Sequence, residues 1–163
     1  MFKKRRLREL MREELPNIAY QRRLSFRTSQ EEVIELWKML NKTIFDNRLE
    51  LPEIEVVPRC RQYWGICIGS YYKIRGQKSY CKIRVMDKWF CKQWLITTLA
   101  HEMCHQYQWD IIGEERRHLG LDPIMSHGPS FYIFRDKLAK YGIPLKRHHR
   151  IKRWFKHQDM MKA

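Results

Sequence analysis

One short motif constrains this chain more than any other feature: His101-Glu102-Met103-Cys104-His105. Four residues make slightly more than one helical turn, so two histidines at this spacing lie on the same face of a helix. Two neutral imidazoles in that arrangement can hold one zinc ion. The carboxylate of Glu102 lies about 100° around the helix from His101, where it can take a proton from a water molecule beside the metal. The motif therefore predicts zinc on His101 and His105, with Glu102 as general base.

The segment that carries this motif, residues 94–109, is predicted to be a buried central helix. The residues before the motif are apolar on several faces of a helix. A single buried histidine is usually an ordinary hydrogen-bonded core residue. Two histidines and a glutamate at this spacing are different, because burying three such groups without partners would cost several kcal/mol. A metal site is therefore the preferred interpretation.

A catalytic zinc ion normally has three protein ligands and one open position, so a third ligand must come from outside this helix. His127 is the preferred candidate because it lies where a loop gives way to a new helix. His118 is the second candidate, within a charged stretch that we predict to be a long loop over residues 110–126. Glu114 and Glu115 are weaker alternatives.

The positive charge of the chain is concentrated at its ends. The net charge is +15, of which residues 1–23 carry +5 and residues 137–163 carry +8. A nearly neutral centre with basic ends is typical of a protein that binds a polyanion, most simply nucleic acid. Basic tails that only increase solubility are the alternative.

Cysteine usage and the lack of long apolar segments indicate a cytoplasmic protein. The number of cysteines is odd and no Cys-x-x-Cys pair occurs, which argues against a disulfide framework and fits a reducing compartment. They are Cys60, Cys67, Cys81, Cys91 and Cys104. We see neither a signal peptide nor an apolar segment long enough to span a membrane. We expect a monomer that does not bind membranes.

Residue periodicity predicts a single domain of the α+β class. Residues 30–45 form an amphipathic helix that begins with a capping box at Ser29 and Glu32. Alternating apolar and polar residues predict three antiparallel strands, which form a small sheet packed on the helix with the histidine motif. These strands lie within residues 53–58, 62–73 and 79–86.

Two further segments have more than one interpretation. Residues 3–15 are predicted to be a short basic helix that serves as a mobile or docking arm. The aromatic side chains of residues 62–73 can stack on nucleic-acid bases; they are Tyr63, Trp64, Tyr71 and Tyr72. Packing within the sheet is the preferred role for most of them.

Over roughly residues 29–142 the chain resembles the SprT-like, or Spartan-type, metalloprotease family. The resemblance rests on Trp37-Lys38-Met39-Leu40-Asn41 leading to Phe45 and Leu49, on Trp64-Gly65, on the motif at residues 101–105, and on His127-Gly128-Pro129-Ser130-Phe131.

The resemblance implies a zincin-like domain over residues 29–144, between a basic arm (1–28) and a basic tail (145–163). It implies zinc on His101, His105 and His127, with Glu102 as general base. It also implies a zinc-dependent endopeptidase that acts on proteins bound or crosslinked to DNA. From the charge distribution of this chain, we expect its basic ends to contact the DNA.

Two other functions compete with this one. The chain can be a nucleic-acid-binding module in which the zinc is structural, or a general cytosolic peptidase whose charge serves solubility. The presence of Glu102 favours a peptidase, because a structural zinc site does not need that carboxylate and is normally closed by four protein ligands.

Overall fold

The computed structural model describes residues 4–13, 26–58, 63–73, 75–124 and 126–148. The helices are α1 (Lys4–Arg12), α2 (Gln30–Thr43), α3 (Lys92–Tyr107), α4 (Gly113–His118) and α5 (Arg135–Ala139), with a π-helical turn at Gln108–Ile112 and a 3-10 turn at Phe131–Phe134. The strands are β1 (Phe26–Arg27), β2 (Glu53–Val57), β3 (Gly65–Gly69), β4 (Cys81–Met86) and β5 (Lys88–Trp89). Residues 14–25 of the predicted arm, Cys60, and the predicted tail from residue 149 onward lie outside the described residues.

The fold is α+β, and its main sheet is mixed rather than antiparallel. The strand order is β2-β4-β3, with β2 parallel and β3 antiparallel to β4. Ile83 of β4 therefore lies between Ile54 and Cys67. The prediction of an antiparallel sheet was wrong for β2, because alternation reports which side chains are buried and not the direction of the neighbouring strand. A separate two-stranded antiparallel sheet pairs β1 with β5.

Small residues allow β3 to approach α3 closely. A Cβ atom added to Gly69 would lie 1.8 Å from the Trp109 ring, and one added to Gly65 would lie 3.0 Å from Thr98. Cys67, midway between the two glycines, is buried. The strand thus lies directly along the helix that carries the histidine motif.

Helix α2 follows the prediction for residues 30–45. The Ser29 hydroxyl accepts a hydrogen bond from the backbone N–H of Glu32, which caps the helix. Asp46 and Asn47 have positive φ angles of 54° and 58° and so end the helical stretch. Trp37 is buried in the core and donates a hydrogen bond to the Gln106 side chain on α3 at 3.0 Å.

Helix α1 is docked on the domain. The side chains of Leu7, Leu10 and Met11 are buried in the same core as those of α2 and α3. The backbone carbonyl of Glu13 also accepts a hydrogen bond from the Gln93 side chain on α3. The basic segment was predicted to be a mobile or docking arm, and its described part docks.

The helix with the histidine motif continues much further than predicted. Segments α3, the π-helical turn and α4 follow one another without a break from Lys92 to His118. The prediction of a loop over residues 110–126 was therefore wrong for residues 110–118, which are helical. The clustered charges at 114–118 belong instead to a helix whose first residue, Gly113, packs next to the Arg117 side chain.

The described residues allow two observations on cysteines and on helix character. Four of the five cysteines are described, and all four are buried free thiols: Cys67, Cys81, Cys91 and Cys104. None of the helices in the described ranges combines the length and the apolar character needed to cross a bilayer.

Candidate metal centre

Three histidine side chains converge at the middle of α3. The Nε2 atom of His127 lies 3.2 Å from Nε2 of His105 and 3.4 Å from Nε2 of His101. The structure thus brings His127, and not His118, to the pair on the helix. His118 is exposed and its ring lies beside Glu114 on α4. Neither Glu114 nor Glu115 belongs to the cluster of the described residues that can hold a metal ion.

The spacing of these nitrogen atoms fits a tetrahedral metal ion. With metal–nitrogen bonds of about 2.0–2.1 Å, two ligands of a tetrahedral zinc ion lie about 3.3–3.4 Å apart. Burial lowers the pKa of both His105 and His127, which keeps both rings neutral near pH 7 and available as ligands. A purely hydrogen-bonded arrangement is a poorer explanation, because His127 Nε2 faces two ring nitrogens at once.

Gln108, in the π-helical turn, orients two of the three rings. Its Oε1 lies 2.8 Å from Nδ1 of His105, so a proton on that Nδ1 leaves Nε2 as the free ligand atom. Its Nε2 donates hydrogen bonds to the Ser126 carbonyl and to the Ser130 hydroxyl, at 2.7 and 2.9 Å. These two residues flank His127. One fully buried amide therefore connects the helix to the segment that supplies the third histidine.

Glu102 lies beside the histidines with one oxygen anchored to the sheet. Its Oε2 accepts a hydrogen bond from the Cys67 backbone N–H at 2.9 Å, and its Oε1 lies 4.0 Å from Nε2 of His101. Burial raises the pKa of this carboxyl to about 8, although the Cys67 N–H acts in the opposite direction. The group can therefore exist in either protonation state near neutral pH, as a proton carrier must.

A cleft of about 630 Å³ opens over this site between β3 and α3. Trp64 and Trp94 form part of its wall, and Arg147 and His148 line it from the C-terminal side. The His148 ring lies 6.2 Å from that of His127.

Three residues of this site were not expected from the sequence. None of the three, Gln108, Arg147 and His148, was among the predicted site residues. For Gln108 a signal existed, since it follows His105 by three residues on a helix and so lies on the same face. For Arg147 and His148 no local pattern exists, because only the return of the chain after α5 brings them to the cleft.

Comparison with known proteins gives one family. The SprT-like family matches residues 33–149, more than two thirds of the chain. Proteins of this family are generally of the metallopeptidase type. No curated protein matched the chain in a sequence comparison. Because the family match covers well over half of the chain and includes the whole histidine cluster, the chain belongs to the SprT-like family.

Proposed function

We propose that this protein is a zinc-dependent endopeptidase of the zincin-like type that cleaves proteins bound or crosslinked to DNA. The observation that carries the proposal is the convergence of three histidines next to a buried glutamate. A structural zinc site does not need such a carboxylate. Family membership supports the peptidase class.

His101, His105 and His127 would hold the zinc ion. When bound, the ion would supply Lewis acidity, which activates water and polarises a scissile carbonyl. Glu102 takes a proton from the attacking water and passes it to the leaving amine. The Cys67 N–H holds Oε2 in place, so Oε1 is the oxygen that faces the histidines and carries the proton.

Strand β3 is the best support for an extended substrate. Among the described strands it is an edge of the main sheet, and its residues Gly65, Ile66 and Cys67 line the cleft. An extended peptide can add to such an edge through main-chain hydrogen bonds. Tyr63 and Trp64, just before the strand, would contact substrate side chains near the metal.

DNA is the proposed partner because the charge excess resides at the ends of the chain. Binding to DNA would hold the catalytic cleft near any protein on the same DNA and raise the effective substrate concentration. Substrate selection would then come from this proximity. A monomer in the cytoplasm, associated with DNA, is the corresponding cellular state.

The test is a peptidase assay on a DNA-binding protein substrate, with and without DNA, comparing the wild type with Glu102→Gln. We expect DNA-stimulated cleavage by the wild type and none by the variant, at equal zinc content. Full activity of Glu102→Gln would refute the mechanism. Zinc binding without any cleavage in either protein would favour a structural zinc in a nucleic-acid-binding module, and cleavage unaffected by DNA would favour a general peptidase.

A further inference from the structure

The loop that joins β3 to β4, residues 70–80, presents two tyrosines to solvent. We call this segment the hairpin loop. Tyr72 is 83% exposed and Tyr71 is 60% exposed, and Tyr72 is the most exposed aromatic side chain among the described residues. Two exposed tyrosines that follow each other in the sequence give this loop an aromatic surface that a ligand can cover.

The Tyr71 ring is held in position from below. It packs edge-on against Trp109, in the π-helical turn after α3, with ring centroids 6.0 Å apart and an interplanar angle of 85°. The Trp109 ring in turn fills the space above Gly69, where no side chain would fit. Part of the Tyr71 side chain is therefore used for packing, while its exposed part and Tyr72 remain accessible.

The base of the hairpin loop is attached firmly to the long helix. Asp110 accepts hydrogen bonds from the Ser79 hydroxyl and from the Tyr80 N–H, at 2.6 and 2.8 Å. The Tyr80 hydroxyl donates to Glu114, and the Arg117 guanidinium lies 3.6 Å from the centre of the Tyr80 ring. The exposed tyrosines therefore project from a rigid base, which reduces the entropic cost of binding a ligand.

The hairpin loop itself carries only positive charge, whereas the residues beside it carry both signs. The loop contains Lys73, Arg75 and Lys78 and no acidic residue. Asp110 and Glu114 at its base already accept hydrogen bonds from Ser79 and Tyr80. Lys78 lines a small cleft together with Glu50 and Glu53. The Lys73 ammonium lies 4.9 Å from the centre of the Tyr80 ring, and the Lys73 and Arg75 side chains are exposed close to the two tyrosines in the sequence.

The loop is also close to the candidate metal centre. Trp109, which touches Tyr71, follows Glu102 by seven residues in the sequence. Seven residues of helix correspond to about 10 Å along the axis. A ligand on the hairpin loop would thus lie beside the end of the edge strand β3, next to the cleft.

We propose that Tyr71 and Tyr72 form a stacking platform for the unpaired bases of single-stranded DNA, with Lys73 and Arg75 contacting its phosphates. This inference deepens the proposed function and rests on it for the choice of DNA. Base stacking on aromatic rings combined with cations along the backbone is the usual way in which proteins bind single strands without reading sequence. Duplex DNA offers no free base faces to these rings, so the loop selects single strands.

The experiment measures fluorescence anisotropy of a labelled oligothymidylate of about 16 nucleotides on the whole 163-residue chain. Tyr72→Ala should weaken binding at least about fivefold, whereas Tyr72→Phe, which keeps the ring, should bind like the wild type. Arg75→Gln should reduce the slope of log affinity against log salt by about 0.7, the value for one phosphate contact on a single strand. Leu119→Ala removes a similarly exposed apolar side chain that has no aromatic face, and should change nothing.

Several outcomes would overturn the inference. If Tyr72→Ala binds the oligothymidylate as tightly as the wild type, the hairpin loop is not the binding surface. If the variant weakens duplex binding as much as single-strand binding, the contact is not stacking on free bases. Unchanged affinity in Tyr72→Ala, together with weaker binding of the protein substrate, would assign the loop to protein recognition.

The inference and the proposed function fail separately. Binding of the oligothymidylate does not depend on catalysis, so an active Glu102→Gln would refute the peptidase mechanism and leave the hairpin loop in place. Conversely, normal oligothymidylate binding and normal DNA-stimulated cleavage by Tyr72→Ala would leave the peptidase in place and refute the stacking platform. Tyr72 does not line the catalytic cleft, so cleavage without DNA should be unchanged in its variants.

Discussion

His127 and His118 provide the simplest contrast at the metal centre. We expect His127→Ala to lose stoichiometric zinc, because its Nε2 lies 3.2 and 3.4 Å from the other two ligand atoms. His118→Ala should keep zinc, because its ring is 78% exposed and lies away from the cluster. Elemental analysis of the two purified variants checks this. Zinc in His127→Ala and none in His118→Ala would mean that the third ligand has been wrongly assigned.

Gln108 is expected to control metal affinity without touching the metal. Gln108→Leu removes the hydrogen bonds to His105, Ser126 and Ser130, so zinc affinity should fall about 10- to 100-fold, as is typical when a residue that orients a ligand is removed. Competition with a chelator measures this affinity.

The matched control for this variant is Gln93→Leu. It removes a buried amide from the same continuous helix, one that donates a hydrogen bond to the Glu13 carbonyl, at the far end from the histidines. Its zinc affinity should equal that of the wild type. If zinc affinity fell equally in both variants, Gln108 would have only a general structural role.

Glu102 should destabilise the metal-free protein at high pH. Its pKa in the folded protein, about 8, exceeds the ordinary value of 4.5. Its contribution to the free energy of unfolding is therefore fully present below pH 4.5 and is lost as the pH rises to 8, because the buried carboxyl becomes charged. One pKa unit corresponds to about 1.4 kcal/mol, which sets an upper bound of about 4–5 kcal/mol, and after structural relaxation we expect on the order of 2 kcal/mol.

Glu102→Gln keeps a carbonyl oxygen for the Cys67 N–H but carries no charge. Chelator-treated Glu102→Gln should therefore be more stable than the chelator-treated wild type at pH 8 and equally stable near pH 4.5. Urea unfolding at both values measures the difference. Protonation of the histidines affects the stability of both proteins in the same way, so it cancels in the comparison. A difference independent of pH would show that burial of the charge is not its cause.

Strand β3 and the helix beside it depend on each other through Gly69. In Gly69→Ala the new methyl group would collide with the Trp109 ring, which can move away only by disturbing the packing of Tyr71. We expect the free energy of unfolding to fall by about 1–3 kcal/mol, as for other overpacked sites. A shift of β3 would also weaken the Cys67–Glu102 hydrogen bond and lower peptidase activity.

A double-mutant cycle checks the cause of this effect. Trp109→Leu creates room over residue 69, so the Gly69→Ala penalty should shrink in that background, measured by urea unfolding. An undiminished penalty would place the strain in the strand itself and not in its packing against the helix.

The shape of the whole domain limits which parts can be altered to test DNA binding. Helix α1 contributes Leu7, Leu10 and Met11 to the core, and Leu145 is buried at the other end, so removal of either end segment would damage the fold. The predicted division at residues 28 and 144 remains a prediction. Neutralisation of charge at constant chain length is the cleaner test.

We expect replacement of Arg150, Lys152, Arg153 and Lys156 by Gln to weaken DNA binding and flatten its salt dependence. The slope should fall by about 0.7 on single strands, or about 0.9 on duplex, for each phosphate that the altered side chains no longer neutralise. Anisotropy titrations over a range of salt concentrations measure it, with zinc content as the check on integrity.

A second set of four replacements controls for net charge. Lys38, Lys42, Lys88 and Lys92 lie on α2, on β5 and at the start of α3, outside both basic ends, and their change to Gln removes the same total charge from the body of the domain. This set should bind DNA with nearly the salt dependence of the wild type. An equal effect of both sets would indicate a response to net charge alone.

Local spacing in the sequence was enough to predict much of this protein. His101, Glu102 and His105 belong to one helix, so the interval between them determines their relative positions, and the family resemblance built on them is confirmed. Helix α2 was equally predictable, because its N-terminal cap at Ser29 and the periodic spacing of its apolar residues are both local features of the sequence.

The remaining features depend on contacts between residues far apart in the chain. The direction of β2, the choice of His127 over His118, and the bond from Cys67 to Glu102 each follow from how β3 and the segment after α4 pack on α3. Apolar periodicity is the same for either strand direction, and the sequence favoured His127 without excluding His118. Only the packed structure decided which of them could lie within a metal–ligand bond length of a common point, because that distance is determined by packing and not by sequence spacing.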